Sequence, residues 1–233
     1  MIPSLKLNNI MEALDSRIQN AAKKSGRSPD DITLVAVTKS FSQNIWDIAL
    51  QHNLTTLAES RIQEAKEKLI TFKHRHKIEL HLIGRLQSNK ARKACKLFDV
   101  IQTVDSVKLA QRLNTVSEEE NSAQKIYLQV NIGNDPNKQG FAPEEIIDSA
   151  KKITDLKNLE LAGIMTIPPN GIPNTNLRAL YKKTREIKDK IKESINHHCI
   201  NLSMGMSDDF EIAVEEGATH IRIGTALFGE RPH

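Results

Sequence analysis

Residues 32–38 read ITLVAVT and residues 44–52 read NIWDIALQH, and this pair decides the fold class. The first is a β-rich apolar run of seven and the second a helical segment. The same alternation continues toward the C-terminus. Further candidate strands are LTTLAE (54–59), IELHLIG (78–84), FDVIQTV (98–104), KIYLQVNI (125–132), LELAGIM (159–165), CINLSM (199–204) and HIRIG (220–224), eight with the first. Between them SRIQEAKEKLITF, SNKARKACK, SVKLAQRLNTVSEEE, PEEIIDSAKKI, TNLRALYKKTREIKDKIKESI and SDDFEIAVEEG read as helices. Each crossover is long enough to bring the chain back for a parallel strand. Aliphatic strands alternating with amphipathic helices predict a parallel sheet covered by helices. Eight such units in 233 residues suit a closed (β/α)8 barrel of the TIM type better than an open doubly wound sheet. Toward the N-terminus, Leu7, Ile10, Met11, Leu14, Ile18 and Ala21 fall at helical spacing and add an extra helix ending near Gly26. No Pro/Ser-rich linker interrupts the pattern, so one domain over 1–233 is expected.

Composition narrows the function classes. Hydrophobic residues make up 39% and charged residues 27%, which supports a packed core and excludes a disordered chain. With one Trp, two Tyr and six Phe the core must be mostly aliphatic, and stacking surfaces for RNA bases are poorly supplied. The net charge of +4 is a mild bias toward anions and does not choose among them. Cys95 and Cys199 form no metal spacing, no segment of the N-terminus resembles a signal peptide, and no apolar stretch approaches the roughly 18 residues of a membrane span. A cytoplasmic protein is expected.

In a barrel, polar residues at the C-terminal ends of strands form the site. Here those ends carry Lys39, Glu59 with Ser60, Gly84, Asn131, Met165, Ser203, and Arg222 before Gly224 and Thr225. Lys39 after LVAVT is either a rim lysine with a solvated head or a Schiff-base amine activated by desolvation. In HIRIG, Arg222 alternates with Ile221 and Ile223; if these meet the helices, Arg222 points into the barrel and needs a carboxylate or a ligand. The turns SMGMSDD and GTALFG supply small and hydroxyl residues where barrels often bind phosphate, with Ser207 read as a helix N-cap. An aldehyde-seeking lysine facing a phosphate cradle points to pyridoxal 5′-phosphate or to a class I aldolase acting on a sugar phosphate.

Several motifs extend the reading: RIQNAAKKSGRSPDDITLVAVTKS, LHLIGRLQSNKARK, IQTVDS, QVNIGNDPNKQGF, LAGIMTIPP and LSMGMSDDFEIAVEEGATHIRIGTALFGER. Together they resemble the pyridoxal phosphate homeostasis protein family, whose fold is similar to the barrel domain of alanine racemase. The resemblance implies a Schiff base on Lys39, a phosphate held by Ser203, Gly224 and Thr225 with the backbone around Met204, and Arg222 facing the pyridine nitrogen. A guanidinium donates to that nitrogen without readily protonating it, so carbanion chemistry is weakly supported. The implied role is holding or transferring the cofactor without a dedicated reaction, with recipient enzymes as partners and a monomer expected. The alternatives are an amino-acid enzyme such as a racemase, and an anion- or nucleic-acid-binding module. No racemase-type tyrosine is in evidence, since Tyr127 lies inside a strand and Tyr181 on a long polar helix. Where the family reads close to FGENYVQE this chain reads LAESRIQE, with Ala58 and Ser60 in place of glycine and asparagine, which puts a contact from the second strand in doubt.

Other signals are weaker. Arg85, Lys90, Arg92, Lys93 and Lys96 form a basic stretch without acids or aromatics, read as a solvated face or as an attractor of anions. The histidine clusters 74–76 and 197–198 lack metal-ligand spacing, so no metal is expected. His81 is either a mouth residue or a hydrogen-bonded core histidine. No nucleotide-binding glycine motif occurs.

Overall fold

The computed structural model describes residues 4–229; the expected domain's outermost residues, 1–3 and 230–233, including the last two of the GTALFGER motif, lie outside the described residues. Helix α1 (Ser4–Lys24) leads through a short 3-10 turn, closed by reciprocal capping of Ser28 and Asp31, into β1 (Thr33–Val37). Strand and helix then alternate: α2 (Ile45–Gln51), β2 (Thr56–Glu59), α3 (Ile62–Thr71), β3 (Glu79–Leu82), α4 (Ala91–Leu97), β4 (Val100–Val104), α5 (Val107–Glu119), β5 (Gln124–Val130), α6 (Ile146–Thr154), β6 (Leu159–Thr166), α7 (Asn174–Ser194), β7 (Asn201–Ser203), α8 (Phe210–Glu215), β8 (His220–Ile223) and α9 (Thr225–Phe228). The strands are parallel, pair in sequence order and close, with Thr33, Leu34, Val35 and Ala36 of β1 opposite His220, Ile221, Arg222 and Ile223 of β8. The closed barrel expected from the alternation is what forms, and the open sheet is excluded.

Closure sends alternate strand residues to two different environments. Ala36, Leu57, Leu80, Ile101, Ile126 and Ile221 face outward and pack with the helices in one large aliphatic core. The barrel interior differs. It holds two small apolar clusters, Val35, Val37 and Ala58 against Ile83, and Val100, Tyr127, Ala162 and Met165 against Ile167. Alongside them lie buried His81, Gln102, Ser203, His220 and Arg222. The aliphatic core expected from composition therefore describes the outer layer, while the interior is partly polar. A register shift lets Ala162 face in: Ile126 opposes Leu161 but Tyr127 opposes Gly163, so Ala162 is the extra residue of a bulge.

Several boundaries and the setting of Tyr181 differ from the sequence reading. β1 ends at Val37 and β3 at Leu82, so Lys39 and Gly84 stand in loops at the C-terminal mouth. Tyr181, expected on a polar helix, lies on the buried stripe of α7 with Leu177, Thr184, Ile187 and Ile191, and its hydroxyl donates to Asp209 Oδ2 at 3.0 Å. Among the described residues no helix is long and apolar enough to cross a membrane.

Candidate functional site

A cavity of about 230 Å³ opens at the C-terminal mouth, lined by Val37, Lys39, Phe41, Ile83, Ile167, Met206, Ser207, Asp208, Arg222, Gly224 and Thr225. Four of the six expected site residues, Lys39, Arg222, Gly224 and Thr225, therefore meet there. Ser203 and Met204 do not line it. Ser203 lies fully buried beneath Arg222, which donates to its Oγ at 2.8 Å. Met204 packs its side chain in the outer core and commits its amide to the His220 carbonyl at 3.1 Å. Ser207 is not the N-cap it was expected to be: Asp209 occupies that position and accepts from the Met206 amide at 2.6 Å. Ser207 Oγ instead accepts the Ala226 amide at 3.3 Å, tying the loop after β7 to the loop after β8 at the cavity edge. The proximity of these two loops in a barrel was the signal that could have found it.

The turn carrying Lys39 is held from behind by groups that the sequence reading missed. The Thr38 hydroxyl donates to Glu59 Oε1 at 2.6 Å and accepts from Trp46 Nε1 at 3.0 Å. Lys68 on α3, 1% exposed, donates to the Thr38 carbonyl and to Glu59 Oε1, each at 2.6 Å. Ser40, whose φ of 65° is left-handed, donates its amide to Glu64 on the same helix. Both neighbours of Lys39 are thus fixed to α3, leaving the half-buried Lys39 side chain to project into the cavity. Glu59, read as a mouth residue, faces outward instead. Burial raises its pKa against the pull of Lys68, and its Oε2 has no hydrogen-bond partner among the described residues.

Arg222 is 4% exposed and its guanidinium donates to Ser203 Oγ and to the Thr166 carbonyl, both at 2.8 Å. Both acceptors are neutral, and Arg222 forms no ion pair among the described residues. Of the two partners expected for it, a carboxylate or a ligand, the first is not within hydrogen-bond reach. Burial lowers its pKa from the ordinary value, opposed by the nearby Tyr181 and Asp209, which expresses the cost of desolvating the cation. The backbone is shaped around it: Gly205 accepts the Arg222 amide at 3.0 Å with φ at 90°, and a Cβ there would stand 2.5 Å from Ala213 Cβ.

The remaining sequence signals resolve locally. Arg92 pairs with Glu119 and Glu120, and Lys96 with Glu120 at 2.9 Å, so the C-terminal end of α5 and its cap supply acids to two residues of the basic stretch. Ala58 packs inside the barrel, and Ser60 abuts Gly84, where a Cβ would lie 2.0 Å from the Ser60 carbonyl oxygen; neither lines the cavity. His81 is fully buried below the mouth. No group of three or more His, Cys, Asp or Glu suited to a metal occurs among the described residues.

The family described as alanine racemase, N-terminal domain, matches residues 11–232. A protein of Aquifex aeolicus named pyridoxal phosphate homeostasis protein is 34% identical over 228 residues, 98% of each chain. The chain belongs to the pyridoxal phosphate homeostasis protein family. Among solved structures, this family member is similar to PipY of Synechococcus elongatus with pyridoxal phosphate bound, at a TM-score of 0.81 and 33% identity over 91% of this chain and 100% of that one. Alanine racemase of Clostridium difficile, 17% identical with a TM-score of 0.73 over 97% of this chain and 60% of that one, shares the fold.

Proposed function

We propose that this pyridoxal phosphate homeostasis family member binds pyridoxal 5′-phosphate as a Schiff base on Lys39 and serves vitamin B6 homeostasis, holding or handing on the cofactor without a dedicated reaction of its own. The observation that carries this reading is the pairing, across one cavity, of a lysine on a braced turn with a buried arginine whose acceptors are all neutral. The residues fit the group. When bound, the cofactor supplies an aldehyde for an amine, a phosphate for hydrogen-bond donors and a ring nitrogen for one donor more. Lys39 provides the amine, and Thr225, Ser207 and the backbone at Gly224 provide the anion-facing rim. Ser203 contributes from behind, by accepting from Arg222. Arg222 serves as the donor to the ring nitrogen, and a guanidinium does not readily give up its proton, which favours retention over carbanion chemistry. Neither tyrosine is poised as a racemase-type base. Burial raises the pKa of both phenols, and both hydroxyls are engaged internally, Tyr181 with Asp209 and Tyr127 with His220. Recipient enzymes in a reducing cytoplasm are the proposed partners of a monomeric carrier; both cysteines are free thiols.

The test is an absorbance spectrum with and without added pyridoxal phosphate, followed by borohydride reduction and peptide mapping. A Schiff-base band with the pyridoxyl group on the Lys39 peptide, lost in Lys39→Ala, is expected. Wild-type protein with no band and no adduct at Lys39 overturns the reading. Steady turnover of an amino acid, lost in the same variant, would make the protein an enzyme instead.

A further inference from the structure

Beneath Arg222 a line of polar groups crosses the barrel toward its opposite end. Arg222 Nη1 is 2.8 Å from Ser203 Oγ, Ser203 Oγ is 2.7 Å from Gln102 Oε1, Gln102 Nε2 is 2.6 Å from His81 Nδ1, and His81 Nε2 is 2.9 Å from Glu79 Oε2. Ser203, Gln102 and His81 are fully buried, while Glu79, at the first position of β3, reaches solvent. Four strands, β8, β7, β4 and β3, each contribute to the line.

Its two ends fix its direction. A guanidinium only donates and an ionised carboxylate only accepts. Because Ser203 Oγ receives an Arg222 N–H, the serine proton is free to go on to Gln102 Oε1. The Gln102 amide nitrogen then donates to His81 Nδ1, and His81 donates from Nε2 to Glu79. Every bond points from Arg222 toward Glu79. The hydrogen bond from His81 is also the chief cause that holds the Glu79 carboxyl down at about 2, so the accepting end stays ionised. Turning the Gln102 amide over would set its nitrogen against Ser203 and its oxygen against an unprotonated Nδ1, so no member reverses by itself.

We propose that Gln102 and His81 are positioning residues for Arg222: by keeping the Ser203 oxygen available as an acceptor they fix the orientation in which the guanidinium meets the ring of bound pyridoxal phosphate. The proposal rests on the site reading given above. Neither residue lines the cavity, so each acts only through Ser203 and Arg222.

The experiment compares wild type, Gln102→Leu, Ser203→Ala and the double variant by the Schiff-base absorbance band and by the rate of cofactor dissociation. Gln102→Leu is expected to shift the band and speed dissociation about tenfold, the worth of one hydrogen bond. Ser203→Ala should do the same, and the double variant should be no worse than either, because both cut one chain. An unchanged band and rate in Gln102→Leu, or fully additive losses in the double variant, overturns the proposal. Nitrogen chemical shifts of His81 in the unliganded wild type give a second decision that needs no variant to fold: protonation at Nε2 supports the chain, and protonation at Nδ1 overturns it. If the wild type forms no Schiff base the site reading fails, whereas the His81 measurement still judges the chain.

Discussion

Arg222 sets two free energies against each other. Unliganded, it is a buried cation whose acceptors are neutral, and an apolar side chain of similar length would suit that environment at least as well. Arg222→Met should therefore leave the unliganded protein as stable as wild type, or more stable by about 1–3 kcal/mol, in urea unfolding. The same variant should hold pyridoxal phosphate at least about tenfold less tightly while still trapping it on Lys39 under borohydride. A parallel loss of stability and retention would mean that the arginine serves the fold. Arg222 and Lys39 were legible in the sequence because strand alternation and strand ends locate them. Gln102 was not, because its partners His81 and Ser203 lie 21 and 101 residues away and only barrel closure brings them together.

At the scale of elements, α3 and β2 form the wall that backs the Lys39 turn. Lys68 and Glu59 are both excluded from solvent and 2.6 Å apart, so removing Lys68 leaves the Glu59 carboxyl buried without its cation. Lys68→Met should cost about 3–5 kcal/mol in urea unfolding, and the double variant Lys68→Met with Glu59→Gln should recover most of it. Gly205→Ala should also destabilise, since its φ of 90° disfavours a side chain and Ala213 fills the space. The strands themselves were legible to within a few residues, because a parallel sheet writes itself as aliphatic runs. The outward direction of Glu59 was not. The available hint was Lys68, which shares the inner face of α3 with Ala65 where only apolar residues are expected.

For the whole molecule, the polar interior has a pH signature. His220 is held neutral, its pKa lowered from 6.5 to about 3, chiefly by burial. The unfolded chain takes up a proton near pH 6.5 that the folded chain refuses until about 3, so the unfolded state binds more protons across that window and stability falls as pH falls through it. One proton corresponds to about 1.4 kcal/mol per pH unit. His220→Gln should lower the acid-side slope by that amount, which urea unfolding at about pH 7 and about pH 4 would measure; an unchanged slope would assign the acid lability elsewhere. The eightfold order of the barrel followed from counting units, whereas its interior polarity followed only from knowing which alternate residues face in.

The ladder between β1 and β8 also gives the barrel a mechanical character. These strands are parallel and paired at four consecutive positions, from Thr33 with His220 to Ala36 with Ile223. A pull applied before β1 and after β8 loads their hydrogen bonds side by side, in shear, so they must give way together rather than unzip. Lys39 follows one strand and Thr225 the other, and a ligand bridging them would act as a rivet across the seam under tension.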